Sequence, residues 1–314
     1  MVRVLGVDIG GTDIKLGIVT ENGDILKSGK IATRSEAGPK AAASRTREWL
    51  EDNGSGGDPI VAAGVDCAGL IDGDRGFLHT SPNLGGWVDV PLKSIFEAEL
   101  RCPVIVENDA NAAAYGEWVR GAGRGMKNFV CLTLGTGVGG GIICNGALYR
   151  GSSGFAGEIG HTVILADGPP CTCGNRGCLE AVIKASAIVA RARDMLGSTG
   201  GERPDWDDGL TVERLSRAAA SGDAVAVRAL AETGRYLGIG LTNVVHILAP
   251  EAIAIGGGVA GAGDYILGPA RATLRNCVMD EAMAVVEIVP AELGNKASFL
   301  GVALLATAQA RDSR

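Results

Sequence analysis

The sequence predicts an α/β protein. Apolar runs of strand length alternate with longer stretches of helical character along the 314 residues, which is the pattern of a sheet flanked by helices. In addition, two of the apolar runs lead into glycine-rich loops, Gly10-Gly11-Thr12 and residues 135–141, and a further β-prone run follows each loop. The chain therefore predicts two strand–loop–strand units within an α/β fold.

The first part of the chain supplies four predicted strands and three predicted helices. Val2 to Val7 is apolar and ends at Asp8, and residues 21–24 form a turn to the next β-prone run. Asp72-Gly73 and residues 81–83 indicate irregular chain. The predicted strands are 2–7, 14–20, 60–65 and 103–106, and the predicted helices are 37–50, 92–100 and 109–119.

The second part repeats the order of strand and glycine loop. Residues 129–134 form a strand, and an Asn-Gly turn closes the β-prone run 142–146 that follows the loop. Residues 198–209 are rich in Gly, Pro and Asp, which predicts a surface loop. The other predicted elements are a strand at 252–255, which leads to Gly256-Gly257-Gly258, and helices at 180–195, 211–220, 223–245 and 298–310.

Composition and charge exclude several classes of protein. The net charge of −7 offers no general attraction to nucleic acid or to an anionic membrane. No apolar run approaches the roughly 18 residues that a membrane span needs, and the N-terminus is too short and too soon charged for a signal peptide. Five cysteines, at 67, 102, 131, 144 and 277, lie mostly in or beside apolar runs and are expected to be buried. We expect a cytoplasmic protein.

A cluster of metal-ligand side chains lies near the middle of the chain. His161, Cys171, Cys173 and Cys178 provide one imidazole and three thiolates, a complete tetrahedral set for zinc without a position for water. Such a closed site is normally structural. The alternative is a disulfide with one spare thiol, which a reducing intracellular compartment disfavours.

The glycine loops predict contacts with phosphate groups. Backbone amides of Gly10, Gly11 and Thr12 can face phosphate oxygens, and Asp8 beside them is placed to reach a hydrated Mg²⁺. The alternative is an ordinary hairpin turn. The second loop contains a literal G-x-G-x-x-G, but a dinucleotide-binding fold requires a helix after the glycines, and here a β-prone run follows.

Five motifs together carry a family resemblance. In chain order they are residues 8–15 (DIGGTDIK), 107–111 (ENDAN), 134–140 (LGTGVGG), 158–161 (EIGH) and 171–180 (CTCGNRGCLE). With these motifs the sequence resembles the ROK family of repressors and sugar kinases over nearly its whole length. The resemblance implies an actin-like (ribonuclease-H-like) fold with two lobes around a cleft. It assigns residues 1–120 and 298–314 to a small lobe, and residues 121–297, with the zinc segment, to a large one.

The resemblance also implies an activity, namely ATP-dependent phosphorylation of glucose at its 6-hydroxyl, with Mg²⁺ accompanying ATP and zinc in a structural role. Other hexoses, such as N-acetylmannosamine, N-acetylglucosamine or fructose, remain alternatives, as does polyphosphate as the donor. Repressors of the family carry a winged helix-turn-helix ahead of the kinase-like body, and Asp8 already lies in the first predicted strand. The expected partners are ATP and a hexose, with no nucleic acid or membrane, in a homodimer or homotetramer.

The resemblance assigns roles to individual residues. Asp109 is the expected catalytic base, and a helix N-cap is its alternative role. The residues expected to bind the sugar are Asn83, Asn108, Asp109, Glu158, His161 and Glu180. The residues expected to bind ATP are Asp8, Gly10, Gly11, Thr12, Lys15, Gly135, Thr136, Gly137, Gly139, Gly140, Gly256, Gly257 and Gly258.

Overall fold

The computed structural model describes residues 2–54, 57–199, 209–283 and 286–312. These residues form thirteen strands and ten α-helices. The strands are β1 (Arg3–Ile9), β2 (Asp13–Thr20), β3 (Ile25–Ala32), β4 (Ile60–Cys67), β5 (Leu70–Asp72), β6 (Phe77–Thr80), β7 (Val88–Val90), β8 (Val104–Asn108), β9 (Phe129–Leu134), β10 (Val138–Cys144), β11 (Ala147–Leu148), β12 (Ala252–Gly256) and β13 (Glu287–Pro290). The helices are α1 (Gly38–Gly54), α2 (Leu92–Leu100), α3 (Asp109–Arg120), α4 (Leu179–Ile183), α5 (Ala185–Thr199), α6 (Val212–Ala220), α7 (Ala224–Leu248), α8 (Asp264–Cys277), α9 (Asp280–Met283) and α10 (Ala297–Asp312).

Two five-stranded sheets share one plan. In the first sheet the strand order is β3-β2-β1-β4-β8, and in the second it is β11-β10-β9-β12-β13. Each sheet places the strand that precedes a glycine loop at its centre, with the hairpin on one side and two parallel strands on the other. The side chains of β1 are all buried, as its continuous apolar run predicts. The duplicated hairpin predicted from the sequence is confirmed.

A third sheet occupies chain that the sequence analysis predicted to be irregular. Strands β5, β6 and β7 form a small antiparallel sheet between β4 and α2 in the chain. Its strands are three or four residues long, and glycines and prolines interrupt them, so no period-two pattern is long enough to be seen. Within the sheet Leu78 is fully buried.

Helix α10 packs unusually close to the first sheet and to α3. A Cβ atom added to Gly6 or Gly64 would overlap backbone carbonyls of α10, at Phe299 and Val302. The approach is reciprocal, because a Cβ atom on Gly301 would overlap the backbone of α3. Glycines on the sheet and on the helix therefore remove the side chains that would otherwise hold the backbones apart. The last predicted helix, 298–310, is confirmed.

One predicted helix is divided. Residues 180–195 were expected to form one helix, but α4 ends at Ile183 and α5 begins at Ala185. Between them Lys184 is extended, with φ −62° and ψ 157°. The amide of Ala185 donates to the carbonyl of Gly135 at 2.9 Å instead of continuing the helix. In the predicted loop 198–209, residues 198 and 199 belong to α5, and 200–208 lie outside the described residues.

The chain divides into two compact units. One comprises residues 1–125, 141–157 and 293–314, and the other comprises residues 126–140 and 158–292. In the second unit α7 packs against α4, α5, α6 and α8. The lobe boundaries predicted from the sequence stay a prediction, and the units differ from them mainly by assigning 141–157 to the first. In the part of the chain that the structure describes, no helix has the length and apolar character of a membrane span.

Candidate active site

In the first unit, Asp8 and Lys15 lie side by side at the base of the first glycine loop. The Lys15 ammonium donates to Asp8 Oδ2 at 2.8 Å, and Asp8 is buried at the carboxyl end of β1. Burial lowers the pKa of Lys15, but Asp8, Asp66 and Asp109 outweigh it and the pKa is raised. The lysine therefore stays protonated and anchors a group of carboxylates.

The first loop itself is open to solvent. Gly11 and Thr12 are exposed. The conformation of Gly10 is fixed within the loop, because its amide donates to the Asp13 carbonyl at 3.0 Å. Asn83 lies against this loop, since a Cβ atom on Gly11 would stand 3.0 Å from the Asn83 carbonyl oxygen. The structure therefore places one predicted sugar-binding residue beside the predicted phosphate loop.

Helix α3 is capped by a different residue from the one considered in the sequence analysis. The N-cap residue is Asn108, whose side-chain oxygen accepts from the amides of Ala110 at 2.9 Å and Asn111 at 3.1 Å. Asp109 is the first residue of the helix, and its Oδ1 also accepts from the Ala110 amide, at 2.9 Å. The Asn108 side chain therefore provides the cap that the sequence analysis offered as the alternative role of Asp109.

Glu107 holds this helix start in place. The buried Glu107 carboxylate accepts from the Asn108 amide at 2.9 Å and from the Asn111 side chain at 3.0 Å. Its other oxygen pairs with Arg150 at 2.7 Å. The side chains of Glu107, Asn108 and Asn111 thus all have a role in the local structure.

Sequence reasoning missed Asp66. It lies at the end of β4, opposite Asp8 on β1, and its side chain is fully buried. Burial, and then the charges of Asp8 and Asp109, raise the pKa of Asp66 well above its usual range. In the sequence, a single charged residue at the end of an apolar run looks like the start of a loop. Only the register of β4 against β1 shows that Asp66 lies next to Asp8.

In the second unit, Glu180 contacts the second glycine loop. Its Oε2 accepts from the Val138 amide at 3.0 Å, and a Cβ atom on Gly137 would stand 2.7 Å from that oxygen. The loop is a tight turn closed by the Gly135 amide, which donates to the Gly137 carbonyl at 2.9 Å. Thr136 is exposed at its tip, and Gly139 and Gly140 belong to β10. A predicted sugar-binding carboxylate thus fixes the predicted phosphate loop.

The predicted metal ligands converge. The ligand atoms of His161, Cys171, Cys173 and Cys178 all lie within 4.8 Å of one another. Cys173 Sγ lies 3.7 Å from Cys178 Sγ, and Cys171 Sγ lies 3.5 Å from His161 Nδ1. A tetrahedral ion with metal–sulfur bonds of about 2.3 Å separates two of its sulfurs by about 3.8 Å, so these residues fit such an ion.

Glycines shape the segment that carries these cysteines. Gly174 and Gly177 have φ values of 90° and 68°, which other residues rarely adopt. The Gly174 amide donates to the Cys171 carbonyl at 3.1 Å, and the amides of Ile164 and Leu165 both donate to the Gly177 carbonyl. The tight turns expected between the ligands are confirmed.

His161 joins the cysteine cluster to Glu158. Its Nδ1 faces Cys171, which leaves Nε2 3.9 Å from Glu158 Oε2. Partial burial and the charge of Glu180 raise the pKa of Glu158, although His161 opposes them. Glu158, His161 and Glu180, the three predicted sugar-binding residues of this unit, are therefore near neighbours.

The third glycine segment lies beside the second loop. Gly257, with φ 86°, packs against the backbone of Leu134 at the end of β9, where any side chain would overlap it. A 3₁₀ helix, Gly258–Ala262, follows. A cavity of about 340 Å³ opens next to Gly258, and its lining also includes Glu213, Ser216, Arg217, Ala220, Gly261, Ala262 and Tyr265.

Cysteines outside the cluster are not uniformly buried. Cys67 and Cys131 are buried, as predicted, and Cys102 is half-buried. The prediction was wrong for Cys144 and Cys277, which are exposed at the ends of β10 and α8. At element ends the apolar run stops, so an adjacent apolar neighbour no longer implies burial.

Comparison with known proteins identifies the family. The ROK family profile matches residues 4–309. The chain belongs to the ROK family. A ROK relative, the glucokinase of Streptomyces coelicolor, is 39% identical over 311 residues, which is 96% of each chain. The glucokinase of Halalkalibacterium halodurans is 40% identical over 308 residues, 95% of this chain and 92% of its own.

A solved ROK structure extends the similarity to three dimensions. The ROK glucokinase of Streptomyces griseus in complex with glucose and AMPPNP is 37% identical and superposes with a TM-score of 0.82. The match covers 97% of this chain and 99% of that one. The predicted family and the predicted actin-like α/β fold are confirmed, and the predicted group of His and Cys metal ligands is present.

Proposed function

We propose that this protein is an ATP-dependent glucokinase that transfers the γ-phosphoryl group of ATP to the 6-hydroxyl of glucose. The observation that carries the proposal is similarity to glucokinases over nearly the whole chain, including one that binds glucose and AMPPNP. The alternative hexoses, N-acetylmannosamine, N-acetylglucosamine and fructose, are competing substrates in the experiment below.

Asp109 acts as the general base in this proposal. Its carboxylate accepts the proton of the sugar 6-hydroxyl as that oxygen bonds to the γ-phosphorus, and the bond from phosphorus to the β-phosphate bridging oxygen breaks to release ADP. Asp109 Oδ1 accepts from the Ala110 amide, but Asn108 accepts from the same amide and from that of Asn111, so α3 stays capped when Asp109 takes up the proton. Lys15 keeps positive charge beside Asp8 in the same unit.

The phosphate groups of ATP bind to backbone amides. In the first loop the amides of Gly11 and Thr12 serve one part of the triphosphate, and Gly10, whose amide donates to the Asp13 carbonyl, allows close approach. Residues 135–140 serve another part, through the amides that are not already bonded within the loop or to Glu180. Mg²⁺ bound with ATP would supply positive charge that offsets the charge developing on the transferred group, and Asp8 would help to hold it. The adenine end lies along Gly256, Gly257 and Gly258, next to the cavity that Arg217 and Tyr265 help to line.

Glucose is held from the second unit by Glu158, His161 and Glu180. Carboxylates accept hydrogen bonds from adjacent ring hydroxyls, and His161 Nε2 is available on the side away from the cysteines. Asn83 contributes its amide group to another hydroxyl. Asn108, whose side-chain oxygen caps α3 and whose nitrogen donates to the Gly69 carbonyl at 3.2 Å, contributes its second N–H. His161, Cys171, Cys173 and Cys178 would hold a structural zinc ion, and that ion would fix the orientation of His161.

A steady-state kinetic screen tests the proposal. The purified protein is assayed with glucose, mannose, fructose, N-acetylglucosamine and N-acetylmannosamine, each with Mg-ATP and with Mg-polyphosphate as the donor. We expect the highest kcat/KM for glucose with ATP, because a free 2-hydroxyl suits paired carboxylates and an acetamido group needs extra room. The Asp109→Asn variant, assayed in parallel, controls for contaminating kinases.

The outcomes separate the alternatives. A higher kcat/KM for an acetylated hexose would replace glucose as the substrate, whereas no transfer to any hexose would refute the kinase. Size-exclusion chromatography with light scattering tests the predicted homodimer or homotetramer. Fractionation of the cells that make the protein tests the predicted cytoplasmic location.

A further inference from the structure

Three carboxyl groups form a row across the first sheet. Asp8, Asp66 and Glu107 are direct register partners on the adjacent parallel strands β1, β4 and β8. Register partners project to the same face of a sheet, and neighbouring strands lie about 4.8 Å apart. The middle carboxyl group therefore has an acidic neighbour on each side.

The outer members of the row have cationic partners, and the middle one does not. Asp8 pairs with Lys15 at 2.8 Å, and Glu107 pairs with Arg150 at 2.7 Å. Asp66 is 0% exposed, and within the described residues neither of its carboxyl oxygens receives a hydrogen bond from a donor. A carboxylate in that position would be a buried charge without a hydrogen-bonded partner, which Lys15 offsets only in part, and such a charge costs several kcal/mol.

A proton on Asp66 removes the buried negative charge. The neutral acid is a hydrogen-bond donor, and Asp8 is an adjacent acceptor whose other contact is Lys15. Two carboxyl groups that share a site generally hold one proton between them. The raised pKa of Asp66, caused first by burial and then by Asp8 and Asp109, agrees with this geometry.

We propose that Asp66 is a positioning residue of the phosphoryl-transfer site, whose neutral carboxyl group donates a hydrogen bond to Asp8 and fixes that carboxylate beside Lys15. This role rests on the proposed function, in which Asp8 and Lys15 stand at the first phosphate loop. The proton also keeps a further negative charge away from Asp109, the base in the same group of residues.

A purely structural role does not account for this residue. Two residues before Asp8 and Asp66, on the same face of the sheet, the backbone of α10 packs directly on Gly6 and Gly64. Apolar side chains cover the opposite face of β4. An apolar residue of similar size at position 66 would avoid the cost of burying a carboxyl group. Buried polar groups without hydrogen-bond partners are found most often at functional sites, where they contribute to binding or catalysis.

Infrared spectroscopy and kinetics on two variants test the proposal. In Asp66→Asn the side-chain amide can still donate to Asp8, whereas Asp66→Ala has no donor. We expect a carbonyl band of a protonated carboxyl group in the wild type near neutral pH that is absent from the spectrum of Asp66→Asn. We also expect Asp66→Asn to keep kcat within about threefold. In Asp66→Ala we expect kcat to fall about tenfold or more and the KM for ATP to rise more than that for glucose.

Val65→Ala is the matched control, since Val65 is buried on the opposite face of β4. It should lower the melting temperature and leave kcat unchanged, which separates lost packing from lost positioning. The proposal is overturned if the infrared spectra of wild type and Asp66→Asn show the same protonated carboxyl bands, or if Asp66→Ala keeps the wild-type kcat. Should Asp66→Ala not fold, the infrared comparison decides. Absence of hexose phosphorylation by the wild type would refute the proposed function, and the infrared result would still report the proton.

Discussion

At the residue scale, two adjacent side chains at the start of α3 divide two tasks. Asn108 caps the helix, while Asp109 carries the carboxylate that the proposal makes the general base. Asp109 Oδ1 also accepts from the Ala110 amide, but Asn108 accepts from that amide and from the Asn111 amide, so the capping of α3 depends mainly on Asn108. Stability and turnover should therefore respond to different substitutions.

Asp109→Asn should lower kcat by about 10²–10⁴-fold, because the amide cannot accept the hydroxyl proton at neutral pH. The KM for glucose should change little, since the amide keeps nearly the same shape. Steady-state kinetics combined with thermal unfolding provides the measurement. Asn108→Ala is the companion variant, and loss of the cap should destabilise it by about 1 kcal/mol. Near-normal kcat in Asp109→Asn would show that the base lies elsewhere.

Asp66 predicts a pH dependence of stability. Burial, Asp8 and Asp109 raise its pKa in the folded protein, so above the unfolded pKa of about 4 the folded state retains a proton that the unfolded chain releases. Stability is therefore lost as the pH rises from that value toward the folded pKa. Relative to wild type, Asp66→Asn should gain up to about 1.4 kcal/mol per pH unit in this window. Urea unfolding of both proteins at about pH 5, 6 and 7 tests this expectation, and a constant difference would contradict it.

At the element scale, the role of the second glycine loop in binding phosphate can be tested at a position where an added side chain does not disturb Glu180. A Cβ atom on Gly135 would meet nothing within 4 Å, whereas one on Gly137 would stand 2.7 Å from the Glu180 carboxylate. Gly135→Ala should therefore raise the KM for ATP by about tenfold, with unchanged folding and glucose KM, because its methyl group enters the space proposed for phosphate. Gly137→Ala should alter the KM for both substrates. Unchanged ATP kinetics in a folded Gly135→Ala would remove the loop from the phosphate site.

The cysteine segment makes a second prediction at this scale. One tightly held zinc ion per chain is expected, and chelation should lower thermal stability and activity together, because part of the binding free energy is folding free energy. Cys173→Ser should lose zinc, whereas Cys144→Ser, which changes an exposed cysteine outside the cluster, should retain it. Elemental analysis of protein purified without chelator gives the stoichiometry. Active protein without zinc would disprove the structural role.

The elements that the sequence predicted well are those whose pattern is local. Strands β1, β2 and β9 are mostly apolar runs next to glycine loops, and their limits fall within two residues of the prediction. The division between α4 and α5 was missed because a distant group causes it, the Gly135 carbonyl that accepts from Ala185. Asp66 was missed for a similar reason, since its neighbours come from other strands.

At the scale of the whole molecule, the close packing of α10 predicts that the free energy of unfolding falls sharply when a side chain is added at its interface with α3. In Gly301→Ala the added methyl group would overlap the backbone of α3, so the helices must separate, at a cost of about 3 kcal/mol. Gly197→Ala is the matched control in α5, where a Cβ atom meets nothing within 4 Å, and it should be stabilised by up to about 1 kcal/mol. Equilibrium unfolding in urea measures both values. Equal stabilities for the two variants would show that the close packing of α10 is not required.

The position of α10 in the chain has a consequence for biosynthesis. The strands of the first sheet lie between Arg3 and Asn108, whereas the helix that covers Gly6 and Gly64 begins only at Ala297. During translation the face of the first sheet that α10 covers therefore stays open until α10 has also left the ribosome. The parallel strands β9, β12 and β13 of the second sheet are complete at Pro290, before α10 is made. Until then the nascent chain exposes that face of the first sheet, which makes it prone to aggregation and to chaperone binding.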